Sequence, residues 1–267
     1  DLIYIQYRNE GNVLGGIAKG TSDAKPLTLS FYVRSNLTGT FVVYLFDADN
    51  TRSVSGTYTI NSANTWERKE VNFPADTSGA LTIDNSHAMS INWVLGAGSN
   101  LKSSTLQTSW GSYDSTALAT GSTDITGSTS NEWYITGVQL ELGEQATPFE
   151  HRSYGEELAA CQRYYYESQP TTSYGMQGIG AVFDGDSSDI VVDFPTTMRT
   201  KPTFTFSNLA IFVGTSGQAV TSAADAGSTT NTSFIRTTYS SAFTVGQAAV
   251  LINNNNVDGY ARFDAEL

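Results

Sequence analysis

Apolar and polar residues alternate in short runs through most of the first half of the chain, and each run closes on turn residues. "LTLSFYVRS" (27–35) alternates, while "GTFVVYLFDADN" (39–50) is a denser apolar run ended by Asp and Asn. "RSVSGTYTI" (52–60) and "WERKEVNF" (66–73) follow, the latter stopped by Pro74. "ALTIDNS" (80–86) and "HAMSINWVLGAG" (87–98) read as further strands. The stretch 99–131 is polar and carries Trp110 and Tyr113 without clear periodicity. "EWYITGVQLEL" (132–142) returns to strand patterning, with Tyr134, Gly137 or Val138, and Leu140 as the expected core positions. Short strands at this spacing predict an antiparallel sandwich of jelly-roll type.

One segment has a helical period. In "SYGEELAACQRYYYES" (153–168) Ser153 and Glu156 form a capping-box pattern, each satisfying a free backbone donor of the other. Glu156 and Glu157 in the first turn and Arg163 near the end suit the helix dipole. Leu158, Cys161 and Tyr165 share a face, with Ala159 and Ala160 keeping it slim. Gly155 weakens the start and Pro170 ends any continuation. A helix of about three turns does not persist alone in water, so it is expected to dock on its own domains or on copies of itself.

The second half is β again. "GIGAVFDGDSSDIVVDFPTTMRTKPTFTFSNLAIFV" holds at least three strands, broken at 184–189 and at Pro195, and 233–243, 248–256 and 258–267 close the pattern. Residues 214–231 read as a long polar loop, a length that is functional or disordered in most proteins. The prediction is therefore all-β: two antiparallel, jelly-roll-like sandwiches, 1–150 and 170–267, joined by a helical connector at 151–169.

Composition narrows the function classes. The 267 residues are 39% hydrophobic but only 15% charged, so Ser, Thr, Asn and Gly supply most of the polar surface. The net charge of -12 repels phosphate backbones and anionic lipid, which disfavours nucleic-acid binding and membrane association. The same charge keeps an exposed β protein in solution. Cys161 is the single cysteine, leaving no intrachain disulfide and no cysteine zinc cluster. No apolar run reaches membrane-spanning length and no signal peptide is visible. The chain opens at Asp1 already alternating like a strand, so it is expected to begin inside a longer polypeptide.

The text from Ile135 to Tyr165, "ITGVQLELGEQATPFEHRSYGEELAACQRYY", carries a resemblance. It resembles a segment that recurs in tail fibre and receptor-binding proteins of tailed bacteriophages and prophages. There a jelly-roll domain similar to carbohydrate-binding modules ends in "GVQLE…G…ATPFE" and is followed by "R-x-x-x-E-L-x-x-C-Q-R-Y". Gly137, Val138, Gln139, Leu140, Glu141, Gly143, Ala146, Thr147, Pro148, Phe149 and Glu150 match the first part. Arg152, Glu156 or Glu157, Leu158, Cys161, Gln162, Arg163 and Tyr164 match the second. "FPTTMRTKPTFTF" (194–206) and "DGYARFDAEL" (258–267) are similar to shorter pieces of the same proteins. The resemblance implies a non-enzymatic virion tail protein, assembled in the host cytoplasm, acting outside the cell, and built as a homotrimer. Its implied partners are copies of itself, other tail proteins and a component of the host envelope.

The residue chemistry points to binding more than to turnover. Neither His87 nor His151 falls in a G-x-S-x-G or H-E-x-x-H setting, and no P-loop or dinucleotide fingerprint is present, so no cofactor is expected. His151 and Cys161 lie ten residues apart, but a structural cysteine on a helix face is far commoner than a nucleophile. No repeat marks the β-helix of glycan-cleaving tailspikes. "FDGDSSDI" places Asp184, Asp186 and Asp189 in one turn, a candidate calcium loop against which a plain turn is the preferred reading, and "DADN" (47–50) is read in the same way.

Exposed aromatic rings stack on the apolar faces of sugars, which makes Trp110 and Tyr113 the first candidates for a saccharide site. In the competing and marginally preferred reading of Trp110, its ring folds back and plugs the sandwich. Tyr174, Tyr239 and Tyr260 are further candidates in the second half, while Leu158, Cys161 and Tyr165 are candidate trimer contacts. The expectation is a host-surface attachment protein that binds glycan without chemistry. Its alternatives are a structural fibre or collar segment, a tail depolymerase, and an accessory sugar-binding module of a secreted glycosidase.

Overall fold

Residues 1–240 and 243–266 are described by a computed structural model. Ser241 and Ala242, inside the strand expected over 233–243, and Leu267, at the end of the one expected over 258–267, lie outside the described residues. The protein is all-β, its strands pairing antiparallel, and the chain divides into two compact units, Asp1–His151 and Arg152–Glu266.

The first unit holds β1 (Leu2–Glu10), β2 (Leu27–Ser35), β3 (Gly39–Asp47), β4 (Arg52–Ile60), β5 (Glu67–Phe73), β6 (His87–Ala97), β7 (Gly111–Ser112) and β8 (Trp133–Leu142). They form a five-stranded sheet in the order β1-β6-β3-β4-β7 and a three-stranded sheet in the order β5-β2-β8. Between the sheets lie Leu29, Phe31, Phe41, Leu45, Phe73, Ile91 and Trp93, all buried. Phe31 meets Tyr58 edge-on at 5.0 Å and Trp93 at 5.9 Å. Each large side chain of this kind contributes about 1.5–3 kcal/mol on burial.

The dense apolar run of β3 has a reason, because its sheet is covered on both faces. Leu101, Leu106, Leu118 and Ala119, from the polar stretch 99–131, pack over Val42, Tyr44 and Val94 on the side away from the main core. The expected strand over 80–86 does not form. Its backbone bonds go elsewhere: Thr82 N donates to the Asp49 carboxylate at 2.8 Å, and the carbonyls of Asp84 and Ser86 accept from Asn12 and Gly11.

On β8 the core phase differs from the expectation. Ile135 and Leu140 face the core, opposite Val33 and Leu29, whereas Tyr134 and Val138 point outward. Five residues on β8 span what four span on β2, so one extra residue must bulge. Gly137 sits beside that register shift at φ +58, a left-handed backbone that a glycine adopts freely.

The second unit starts with α1 (Tyr154–Gln162), capped by Ser153 and Glu156 in both directions as the sequence predicts. The helix stops at Gln162, close to the three turns expected, and the chain turns into β9 (Tyr165–Ser168), which takes Tyr165 out of the helix. The tyrosine run is strand, and Tyr166 stacks on Phe263 at 6.0 Å in the core. Tyr165 therefore does not share a helix face with Leu158 and Cys161. Consecutive aromatic residues suit a pleated surface, and that packing overrides the helical period.

The remaining strands are β10 (Met176–Asp184), β11 (Ser187–Asp193), β12 (Thr203–Ser207), β13 (Leu209–Val213), β14 (Ser216–Ala219), β15 (Ser222–Asp225), β16 (Thr232–Thr238), β17 (Ala248–Asn253) and β18 (Tyr260–Asp264). Seven of them form one sheet in the order β14-β13-β17-β10-β11-β16-β15, and the other two join β9 in a three-stranded sheet in the order β12-β18-β9. Val182, Ile190, Ile211, Ile235, Leu251 and Phe263 fill the space between them. The expected loop 214–231 is not irregular throughout: it supplies β14 and β15, the two edge strands of the large sheet.

Candidate saccharide-binding face

Alternation on β2 sends Leu29, Phe31 and Val33 inward, and so places Tyr32 and Arg34 on the outer face of the three-stranded sheet. In register beside them stand Arg68 on β5, opposite Tyr32, and Thr136 and Tyr134 on β8, opposite Tyr32 and Arg34. Trp66, one residue before β5, reaches over the same face, its ring centroid 6.5 Å from that of Tyr134 at an interplanar angle of 55°. The Arg34 guanidinium lies 5.6 Å from the centre of the Tyr134 ring and donates through Nε to the Asn64 carbonyl at 3.1 Å. Trp66 is 47% and Tyr134 44% exposed.

The polar rim of this patch is fixed. Asn36 donates to the Ser130 carbonyl at 3.0 Å and accepts from Glu132 N at 2.9 Å, pinning the approach to β8. The Tyr134 hydroxyl donates to the Glu132 carboxylate, and that bond pushes the phenol up from its ordinary value. Aromatic faces, a guanidinium and a carboxylate thus meet on one exposed surface. Such a surface can stack on the apolar face of a pyranose and hydrogen-bond its hydroxyls.

The segment that carries the family resemblance covers the other end of the same sheet. Thr147 donates through its hydroxyl to Glu141 at 2.5 Å and through its backbone N at 3.1 Å. Gln139 donates to the Thr147 hydroxyl at 3.1 Å and accepts from Glu150 N at 2.8 Å, while Arg68 donates to the Thr147 carbonyl at 2.6 Å. "GVQLE" and "ATPFE" therefore clamp each other. A Cβ built on Gly137 would lie 3.1 Å from the Tyr32 ring and 3.7 Å from Phe149, which in turn meets His151 edge-on at 5.0 Å.

The residues singled out from sequence land elsewhere. Trp110 is turned inward: its indole N–H donates to the Pro74 carbonyl at 2.9 Å and its ring lies against the main core, 5.0 Å from the Lys19 ammonium. Tyr113 is exposed but packs edge-on against Phe46 at 5.1 Å. Tyr239 is only 2% exposed and its hydroxyl bonds Ser188 at 2.9 Å, so its ring is part of the core and presents no surface for a sugar. Tyr174 is exposed at φ +63 against Phe212, and Tyr260 lies under the Arg262 guanidinium at 3.6 Å. Leu158 and Cys161 are exposed on α1, none of whose residues is buried.

The three aspartates do not converge as a cation loop. Asp184 accepts from Asp186 N and the Ser187 hydroxyl within the β10–β11 turn, while Asp189 pairs with Arg236 at 2.7 and 2.8 Å. Asp47 of "DADN" is fully buried, bound to the Lys19 ammonium and to Asn50. Lys19 also reaches Asp76 at 3.0 Å, and Arg52 grips Asp76 through two bonds of 2.9 Å. Burial raises the Asp76 carboxyl, yet Arg52 and Lys19 outweigh it and hold the group below the usual range. Among the described residues no group of three or more His, Cys, Asp or Glu is arranged to hold a metal ion.

Trp66, Arg34 and Tyr134 were not singled out from sequence as site residues. A usable signal existed at Trp66, a tryptophan between the polar turn "NSANT" and an alternating strand whose polar phase faces outward. Comparison with family models, with curated proteins and with solved structures finds no match.

Proposed function

We propose that the protein is a tail-associated attachment protein of a tailed bacteriophage that binds host-surface saccharide on the face built by Trp66, Tyr134 and Arg34. The observation that carries this reading is the pair of exposed rings 6.5 Å apart beside a guanidinium on a rigid sheet. The resemblance of residues 135–165 to tail fibre segments supports the setting, and an all-β pair of units suits it. The reading assigns binding and no chemistry to this face. A single shallow site of this kind binds weakly. A homotrimer, with further copies on each virion, raises the effective concentration and so the avidity.

Retention on immobilised host-surface polysaccharide tests the reading. The wild-type chain is expected to be retained and to release no reducing ends, while the Trp66→Ala, Tyr134→Ala double variant passes through. Release of reducing ends would favour a depolymerase, and retention of the double variant would place the binding elsewhere.

A further inference from the structure

The charges around the aromatic face of the first unit pair off, with one exception. On β5, Lys69 holds Glu67 at 2.5 Å and Arg68 holds Glu70 at 2.5 Å. The second Nη of Arg68 is taken by the Thr147 carbonyl. On the β8 side, the Glu132 carboxylate accepts from the Tyr134 hydroxyl. Arg34 is left over. Its Nε donates to the Asn64 carbonyl at 3.1 Å, but among the described residues neither Nη has a protein acceptor and no carboxylate lies within ion-pair distance. The chain has 26 acidic residues for 14 basic ones, so a guanidinium that stays unpaired does not do so for want of carboxylates.

The group is also held in position. β2, which carries it, is the middle strand of its sheet, and Asn64 is itself tied through its backbone N to the Ser35 carbonyl at 2.7 Å. The guanidinium lies 5.6 Å from the centre of the Tyr134 ring. With Nε engaged, the two Nη atoms keep their donors in the flat fork that grips a carboxylate through two parallel bonds. Charge-assisted bonds of this kind are roughly twice as strong as bonds between neutral groups.

We propose that this face selects an acidic pyranose, a hexuronate, whose ring stacks on Trp66 and Tyr134 while its carboxylate takes the Arg34 fork. The proposal rests on the saccharide site proposed above and names its substrate class. An equatorial carboxylate projects from the edge of a stacked sugar ring, which brings it beside the aromatic platform, where the guanidinium stands. The net charge of -12 does not forbid an anionic sugar. Exposed charges more than about 8 Å away are screened at physiological ionic strength, whereas the guanidinium acts in contact.

The test is calorimetric titration of the full chain with galacturonate, glucuronate and mannuronate oligosaccharides, each beside its carboxyl-reduced neutral form. The wild type is expected to bind at least one uronate about tenfold or more tightly than its neutral form. Arg34→Gln, with unchanged circular dichroism, is expected to bind the two forms alike. Arg34→Lys keeps the charge without the fork and is expected to lose most of the preference, which serves if the glutamine variant does not fold. A wild type that binds none of the uronates, or binds acidic and neutral forms equally, would overturn the proposal, as would Arg34→Gln with its preference intact. Neutral forms that bind equally well, and are lost in Trp66→Ala, would leave the saccharide site standing without its acidic selectivity. Uronate binding that survives in the Trp66→Ala, Tyr134→Ala double variant would instead overturn the site itself.

Discussion

Lys19 is buried with its ammonium among Asp47, Asp76 and the carbonyls of Ser78 and Gly79, and no alternation pattern announces such a residue. A buried ion pair adds little over a well-packed apolar replacement, but removing one partner leaves a buried charge exposed to the full desolvation penalty. Lys19→Met is therefore expected to destabilise the protein by about 3–5 kcal/mol, read as a drop in the urea midpoint. Gly137 makes a second prediction at this scale. An alanine there must hold φ near +58 with its Cβ 3.1 Å from the Tyr32 ring. The expected cost is about 1–2 kcal/mol, from the left-handed backbone alone. A Gly137→Ala chain as stable as wild type would show that the bulge lies in another place.

Among elements, those whose pattern reflects one buried face were legible in the sequence. β2 and β4 lie within a residue of the alternating runs that predict them. The capping box of α1 was legible too, because Ser153 and Glu156 satisfy each other locally and need no tertiary partner. What failed depends on distant neighbours. The tyrosine run left the helix because Phe263, about a hundred residues on, offers Tyr166 a stacking partner. Residues 80–86 alternate like a strand but bond to the Asp49 carboxylate and the turn at 11–12. Trp110 lies in polar text and finds the core, whereas Trp66 lies beside a strand and finds solvent, and only the packed sheets distinguish them. Since α1 buries none of its residues, losing its cap should stay local. Ser153→Ala is expected to cost the helix about 1 kcal/mol. Amide exchange should accelerate over residues 154–162 while the urea midpoint of the chain stays within error.

At the scale of the whole molecule, acid should loosen both units. The Lys69 ammonium beside Glu67 holds its carboxyl down at about 2, and Lys201 holds Asp225 at about 2. Both groups ionise more readily folded than unfolded, where carboxyls titrate near 4. Their stabilisation is thus complete above roughly pH 5 and is lost as the pH falls from roughly 4 towards 2. The urea midpoint is expected to drop between pH 5 and pH 2.5, and to drop less in Lys201→Met. An equal drop in that variant would count against the assigned pair.

The central claim concerns the aromatic face of the first unit, and calorimetric titration with the saccharide that retains the wild-type chain tests it most directly. Trp66→Ala and Tyr134→Ala should each weaken binding roughly tenfold or more, the equivalent of about 1.4 kcal/mol. Tyr113→Ala, which removes the exposed ring that sequence alone favours, should bind as wild type does. Unchanged affinity in the Trp66 and Tyr134 variants, or loss of binding in Tyr113→Ala alone, would contradict the account.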